Sequence, residues 1–157
     1  METNTEPSPS ARILVVDDEP SIRDMLRDIL TQVGYTVITA SDGREALPVI
    51  LRDKPDLILS DIRMPKLDGL TLCKALRGQA ETKSIPIILL TNYNTSEHME
   101  AAMAAGADDF LPKPLSLDEV KIRVRSLLKL KHVTDEVQRL QQYVLALREQ
   151  TGKAPPK

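Results

Sequence analysis

Four short apolar runs in this chain each stop at a group able to grip an anion or a cation. Ile13-Leu14-Val15-Val16 runs into Asp17-Asp18, Leu57-Ile58-Leu59-Ser60 into Asp61, and Ile87-Ile88-Leu89-Leu90 into Thr91. Asp109-Phe110-Leu111-Pro112 is followed by Lys113-Pro114. Runs of four or five consecutive apolar residues suit strands buried on both faces, the condition of a parallel sheet covered by helices. Such a sheet gathers the carboxyl ends of its strands at one edge, where open α/β sheets bind ligands. The pattern predicts three carboxylates, a hydroxyl and an ammonium in one place.

Helical periodicity fills the intervals. Ile22, Met25, Leu26, Ile29, Leu30 and Val33 repeat at helical spacing after Pro20, and Gly34 is placed to end that helix. Tyr35 to Ala40 reads as a strand and Arg44 to Arg52 as a helix that Pro48 should shorten or kink. Gly69 opens a helix to about Gln79, Ser96 caps another ending at Gly106, and Ser116 with Glu119 forms a capping box for the last one. Five strands alternating with five helices imply an α/β fold, a five-stranded parallel sheet with helices on both faces.

Composition narrows the function. Apolar residues are 41% of the 157, which suits a globular chain, and no run approaches the ~20 residues that span a bilayer. Aromatics are 3%, too few for stacking on nucleic-acid bases, so no direct nucleic-acid binding is expected. The first ten residues lack the pattern of a secretory signal, and the single cysteine, Cys73, excludes an intrachain disulfide. Both suit a cytoplasmic protein with no membrane attachment. Residues 115–157 hold nine Lys and Arg against five Asp and Glu, while the remainder is acidic, so the chain divides into an acidic body and a basic tail.

Carboxylates held a few ångström apart repel one another, and a hard divalent cation relieves that repulsion. Mg2+ suits oxygen ligands shared with phosphate, and no His or Cys stands near the strand ends to favour zinc. His98 and His132 fall on predicted helices away from that edge and read as surface residues. A carboxylate beside such a metal can attack phosphorus and form an acyl phosphate. Asp61 is the best nucleophile, standing alone at the end of the central strand, whereas the Asp17-Asp18 pair suits metal binding. Lys113 and the Thr91 hydroxyl can neutralise phosphoryl oxygens.

These residues resemble the receiver domains of two-component response regulators, in layout similar to the single-domain chemotaxis regulator. The resemblance covers about Ala11 to Leu130 and rests on Val15-Val16-Asp17-Asp18-Glu19, on Asp61 with Met64-Pro65 and Asp68-Gly69 after it, on Thr91, and on Lys113-Pro114. It implies a flavodoxin-like strand order of 2-1-3-4-5. It implies that Asp61 accepts a phosphoryl group from a histidine kinase or phosphotransfer protein, and that Asp17, Asp18, Asp61 and the backbone carbonyl of Arg63 hold Mg2+. Lys113 is expected to pair with the phosphoryl group, Thr91 to swing toward it, and Phe110 to follow into the space vacated. The peptide bond before Pro114 is expected to be cis. The chain would catalyse only its own phosphorylation and dephosphorylation. Phe110 where the family commonly has Tyr, Arg63 at the site mouth and Asn92 after Thr91 depart from the usual pattern and bear on the lifetime of the phosphoaspartate.

Two other functions are open. One is a Mg2+-dependent phosphohydrolase with an aspartyl nucleophile, which in haloacid-dehalogenase-like enzymes needs an acid/base Asp where this chain has Arg63. The other is a protein-binding module that is never phosphorylated.

Beyond the receiver, Leu130, Val133, Val137, Leu140, Val144 and Leu147 repeat with spacings of 3 and 4, an a/d heptad seam. The expected organisation is a disordered tail over 1–10, a receiver over 11–130, a last helix extended past the domain as a projecting coiled coil over 131–150, and a disordered tail over 151–157. That seam predicts a homodimer. The competing arrangement folds the segment back onto its own domain.

Overall fold

A computed structural model describes residues 11–64, 66–92, 96–130 and 135–151. Of the expected terminal tails over 1–10 and 151–157, only Thr151, the last residue of a helix, is among these residues; the rest of both tails, Pro65, His132 and Val133, and the side chains of Ser96 and His98, lie outside them.

Strands β1 (Arg12–Val16), β2 (Thr36–Ala40), β3 (Leu57–Asp61), β4 (Ile87–Thr91) and β5 (Asp109–Pro112) form one parallel sheet in the order β2-β1-β3-β4-β5. Val16 pairs with Ser60, Asp61 with Leu90, and Thr91 with Pro112. The chain therefore leaves β1, β3, β4 and β5 at one edge of the sheet. Ile13 to Val16, Leu57 to Leu59 and Ile88 to Leu90 are fully buried, because helices cover both faces. Each such side chain contributes about 1.5–3 kcal/mol by leaving water.

Helices α1 (Pro20–Val33) and α5 (Leu117–Leu127) cover one face, with Leu26, Leu30, Val120, Val124 and Leu127 against Ile13, Val15, Leu59 and Leu90. Helices α2 (Gly43–Asp53), α3 (Gly69–Arg77) and α4 (Ser96–Ala104) cover the other, with Ala46, Ile50, Leu72, Leu76 and Ala102 against Leu14, Ile58 and Leu89. Gly34 ends α1 with φ 116°, a conformation that favours glycine. Asp42 and Asp68 cap α2 and α3 through their carboxylates, and Ser116 caps α5. Helix α2 runs through Pro48 to Asp53, so the shortening expected there does not occur.

The largest departure from expectation is at the C-terminal end. The last helix is not one continuous projecting rod. Helix α5 stops at Leu127, a 3-10 turn follows over Leu128–Leu130, and a separate helix α6 (Glu136–Thr151) packs back on α5. Asp135 starts α6 by accepting the Gln138 N–H on its carboxylate at 2.9 Å. The face that docks is not the heptad seam. Arg139, Tyr143 and Ala146, spaced four and three apart, are buried, whereas Val137 and Leu140 are 64% and 63% exposed. Of the two ends of the seam, Leu130 is buried in the domain's own core and Leu147 is partly buried against it. The acidic pair Asp108-Asp109 at the head of β5 supplies the reason: Arg139 and Tyr143 bind it, and the amphipathic segment buries its polar-aromatic face there.

One close approach sets the geometry of the site. A Cβ built on Gly69 would lie 2.2 Å from the Asp61 carbonyl oxygen, so α3 begins in contact with the end of β3. The Gly69 N–H also donates to Ile62 O at 2.8 Å. Gly69→Ala is expected to cost about 1–3 kcal/mol by overpacking, measured by urea denaturation; a loss below experimental error would show that α3 can retreat freely.

Candidate functional site

The carboxyl edge of the sheet brings Asp17, Asp18, Asp61, Thr91 and Lys113 together. Asp17 and Asp18 follow β1, Asp61 is the last residue of β3 and Thr91 the last of β4, and Lys113 follows β5 directly. Asp17, Asp61 and Thr91 are buried; Asp18 is exposed at the mouth. One carboxylate oxygen from each of Asp17, Asp18 and Asp61 lies within 4.8 Å of the others. Three hard oxygen donors at that spacing, with no imidazole or thiolate among them, fit a divalent cation of the magnesium type.

Lys113 occupies the centre of this negative charge. Its Nζ is 2.9 Å from Asp17 Oδ2, 3.3 Å from Glu19 Oε1 and 3.4 Å from Asp61 Oδ2. The Lys113 N–H donates to Thr91 O at 2.7 Å, which ties the lysine backbone to the end of β4. The Lys113–Pro114 peptide is cis. Asp17 is held on both oxygens, by the Glu19 N–H at 3.0 Å on Oδ1 and by Lys113 on Oδ2. Its carbonyl also accepts from Arg23 at 2.7 Å. Sequence reasoning gave Glu19 no role, although its position directly after the acidic pair placed it within reach of the lysine.

Burial and charge perturb these groups together. Burial first, and then the Asp17 carboxylate, push the Asp61 pKa up to about 6, against the opposing pull of Lys113. Burial also raises Asp17, partly offset by the Glu19 N–H and Lys113. For Lys113, burial works against the charge, but Asp17 and Asp61 outweigh it and hold its pKa above the ordinary lysine value. Asp61 is thus ionised at neutral pH yet destabilised in that form, which is the condition of a poised nucleophile or of a ligand awaiting a cation.

Arg63, two residues beyond Asp61, is exposed on the loop before α3. Phe110 is 8% exposed and packs with Leu89 and Ala102. With Met99, Met103, Pro112 and Arg123 it lines a groove between α4 and α5.

The signature of the response regulator receiver domain matches residues 13–125, most of the chain. The chain belongs to the response regulator receiver family. Response regulator MprA of Mycobacterium tuberculosis is 47% identical over 120 residues, a stretch that covers 76% of this chain and 51% of that protein. MprA of Mycobacterium leprae is 45% identical over 118 residues, covering 75% and 51%. This receiver chain therefore spans about half the length of the curated relatives it matches. Among solved structures, the chemotaxis protein CheY4 of Vibrio cholerae superposes with a TM-score of 0.68 at 40% identity, covering 71% of this chain and 92% of that one. The receiver domain of Klebsiella pneumoniae RstA, described as BeF3-activated, gives a TM-score of 0.70 at 34% identity, covering 74% and 97%. Among the described residues of this receiver, no helix is long and apolar enough to cross a membrane.

The Asp61 shift has a definite sign. Its folded pKa lies above the unfolded value of 3.8, so the metal-free fold binds this proton more tightly than the unfolded chain does. The resulting stability is complete below about pH 4 and is lost as pH rises through about 6, on the order of 2–3 kcal/mol. In chelator-containing buffer at pH 8, Asp61→Asn is expected to be more stable than the wild type by about 1–3 kcal/mol, with the gap closing by about pH 4. Denaturation at the two pH values measures it; a less stable variant at pH 8 would mean that Lys113 more than compensates Asp61.

Proposed function

We propose that this receiver is a phosphorylation-dependent signalling switch in which Asp61 accepts a phosphoryl group from a histidine kinase or phosphotransfer protein. The observation that carries this reading is the Asp17, Asp18 and Asp61 oxygens within 4.8 Å of one another, with the Lys113 ammonium 3.4 Å from Asp61. An Asp61 oxygen attacks phosphorus as the phosphorus–nitrogen bond of a phosphohistidine breaks. The bonding pair leaves with the imidazole nitrogen, which takes up a proton. Asp17, Asp18, Asp61 and the carbonyl of Arg63 would hold Mg2+, which neutralises equatorial phosphoryl oxygens when bound.

Lys113 can move its charge from Asp17 toward the new anion, and the Thr91 hydroxyl can donate to it. The phosphoryl group brings about −1.5 to −2 of charge into a buried pocket. That charge rewards any arrangement of Thr91 and Lys113 closer to it, so phosphorylation shifts the balance between conformations. Phe110, in the groove between α4 and α5, carries the change to the surface. The phosphohydrolase alternative is disfavoured by exposed Arg63 at the position where an acid/base carboxylate is needed. Modification of this chain is thus stoichiometric rather than enzymatic turnover of a substrate.

Acetyl phosphate with Mg2+ is expected to add a single increment of ~80 Da, the mass of one phosphate, to the wild type and none to Asp61→Asn. Intact-mass spectrometry decides, and labelling of the variant would place the acceptor elsewhere. Lys113→Ala is expected to retain labelling while losing the accompanying NMR shifts of Thr91 and Phe110; shifts equal to the wild type would remove Lys113 from the switch.

Self-association through α6 is a separate part of the proposal. Val137, Leu140 and Val144 form an exposed apolar stripe at helical spacing. Leu140→Asp is expected to leave the receiver folded and lower its association state in sedimentation equilibrium. A wild type that stays monomeric at tens of micromolar would remove the homodimer.

A further inference from the structure

The last helix is fastened to the same strand that delivers Lys113 to the phosphoryl pocket. Arg139 of α6 places Nε 3.0 Å from Asp108 Oδ1 and Nη2 2.7 Å from Asp108 Oδ2, and its Nη1 donates to the carbonyls of Ser84 and Leu130. Asp108 also accepts from Arg77 of α3 at 2.9 Å and from the N–H of Ile87, the first residue of β4, at 3.0 Å. One residue on, Asp109 Oδ2 accepts from the Tyr143 hydroxyl of α6 and from Arg123 of α5. Its Oδ1 takes the Phe110 N–H at 2.7 Å.

These fastenings are polar and directional. Val137, Leu140, Val144 and Leu145 of α6 face water, and what the helix buries is chiefly Arg139, Tyr143 and Ala146, with Leu147 partly buried against the core. A helix held this way loses its seat when the geometry of its acceptors changes, because partly satisfied buried polar networks are costly. The acceptors sit at the head of β5, which spans four residues, or ~13 Å at 3.3 Å per residue. Lys113 follows at its other end. Three phosphoryl oxygens on Asp61 would lie beside Lys113 Nζ, 3.4 Å from Asp61 Oδ2, and would draw it away from Asp17. The strand that carries Lys113 must then accommodate the shift against the Arg139 and Tyr143 contacts.

We propose that α6 is a regulatory strap: docked on Asp108 and Asp109 it restrains β5 and opposes seating of a phosphoryl group at Asp61, and phosphorylation in turn loosens α6. The inference rests on Asp61 being the phosphoacceptor. The two effects are one coupling free energy and must appear together.

The full chain is titrated with beryllofluoride and Mg2+, bound fluoride is followed by 19F NMR, and amide hydrogen exchange is read across α6. Formation of the adduct is expected to speed exchange in α6 by about fivefold or more. Arg139→Met combined with Tyr143→Phe is expected to lower the half-saturating beryllofluoride concentration by a similar factor. Tyr143→Phe alone removes one hydroxyl and keeps the helix face, so it guards against a double variant that fails to fold; it must shift saturation in the same direction. An adduct that forms with unchanged α6 exchange and unchanged half-saturation in Tyr143→Phe overturns the strap while leaving Asp61 as acceptor. Absence of any bound fluoride signal in the wild type overturns both.

Discussion

The arrangement of this molecule depends on one ammonium group placed among carboxylates that repel one another. Two unit charges 4.8 Å apart oppose each other by roughly 3 kcal/mol at an effective dielectric of about 20, and this pocket gathers three such groups, two of them buried. Lys113 offsets that repulsion from a fixed direction, because its own N–H is bound to the Thr91 carbonyl. Burial first, and then the Asp17 carboxylate, still hold the Asp61 pKa at about 6 against the pull of that ammonium. A pocket poised this way gains from any further positive charge, and a cation with several oxygen sites answers that need better than a second side chain.

Much of the sheet was legible because its strands are unusually uniform. Ile13 to Val16 and Ile87 to Leu90 contain no polar residue, so burial on both faces was the reading with fewest competitors. The site followed from the same pattern: Asp17, Asp61, Thr91 and Lys113 each sit at or one residue past a strand end, and a parallel register brings such positions together. The helix read over Arg44 to Arg52 is present as Gly43–Asp53, and Pro48 does not shorten it, because a missing N–H within one helix is tolerated when both flanking turns are packed, as Ala46 and Ile50 are.

At the C-terminal segment the competing arrangement, folded back on its own domain, is the one found. Apolar spacing alone does not decide the buried face here, because the residues that anchor α6 are chiefly an arginine and a tyrosine. Their partners, Asp108 and Asp109, lie some thirty residues earlier, and periodicity carries no information on so distant a pairing. A local signal did exist. Asp135 with Gln138 three residues later is a helix-start pattern inside what looked like a continuous helix. The charge asymmetry was a second hint, since a basic tail beside an acidic body has a reason to fold back.

The division of the heptad positions between core and solvent bears on the proposed self-association. Leu130 is buried in the protomer's core and Leu147 partly buried against it, so a two-stranded zipper using every a and d position would first have to extract them. Assembly of that kind competes with tertiary structure, and the cost of extraction sets its affinity. Were such a zipper to form, substitutions far from α6 that loosen the receiver's interior would tighten it, making oligomer content an inverse gauge of protomer cohesion.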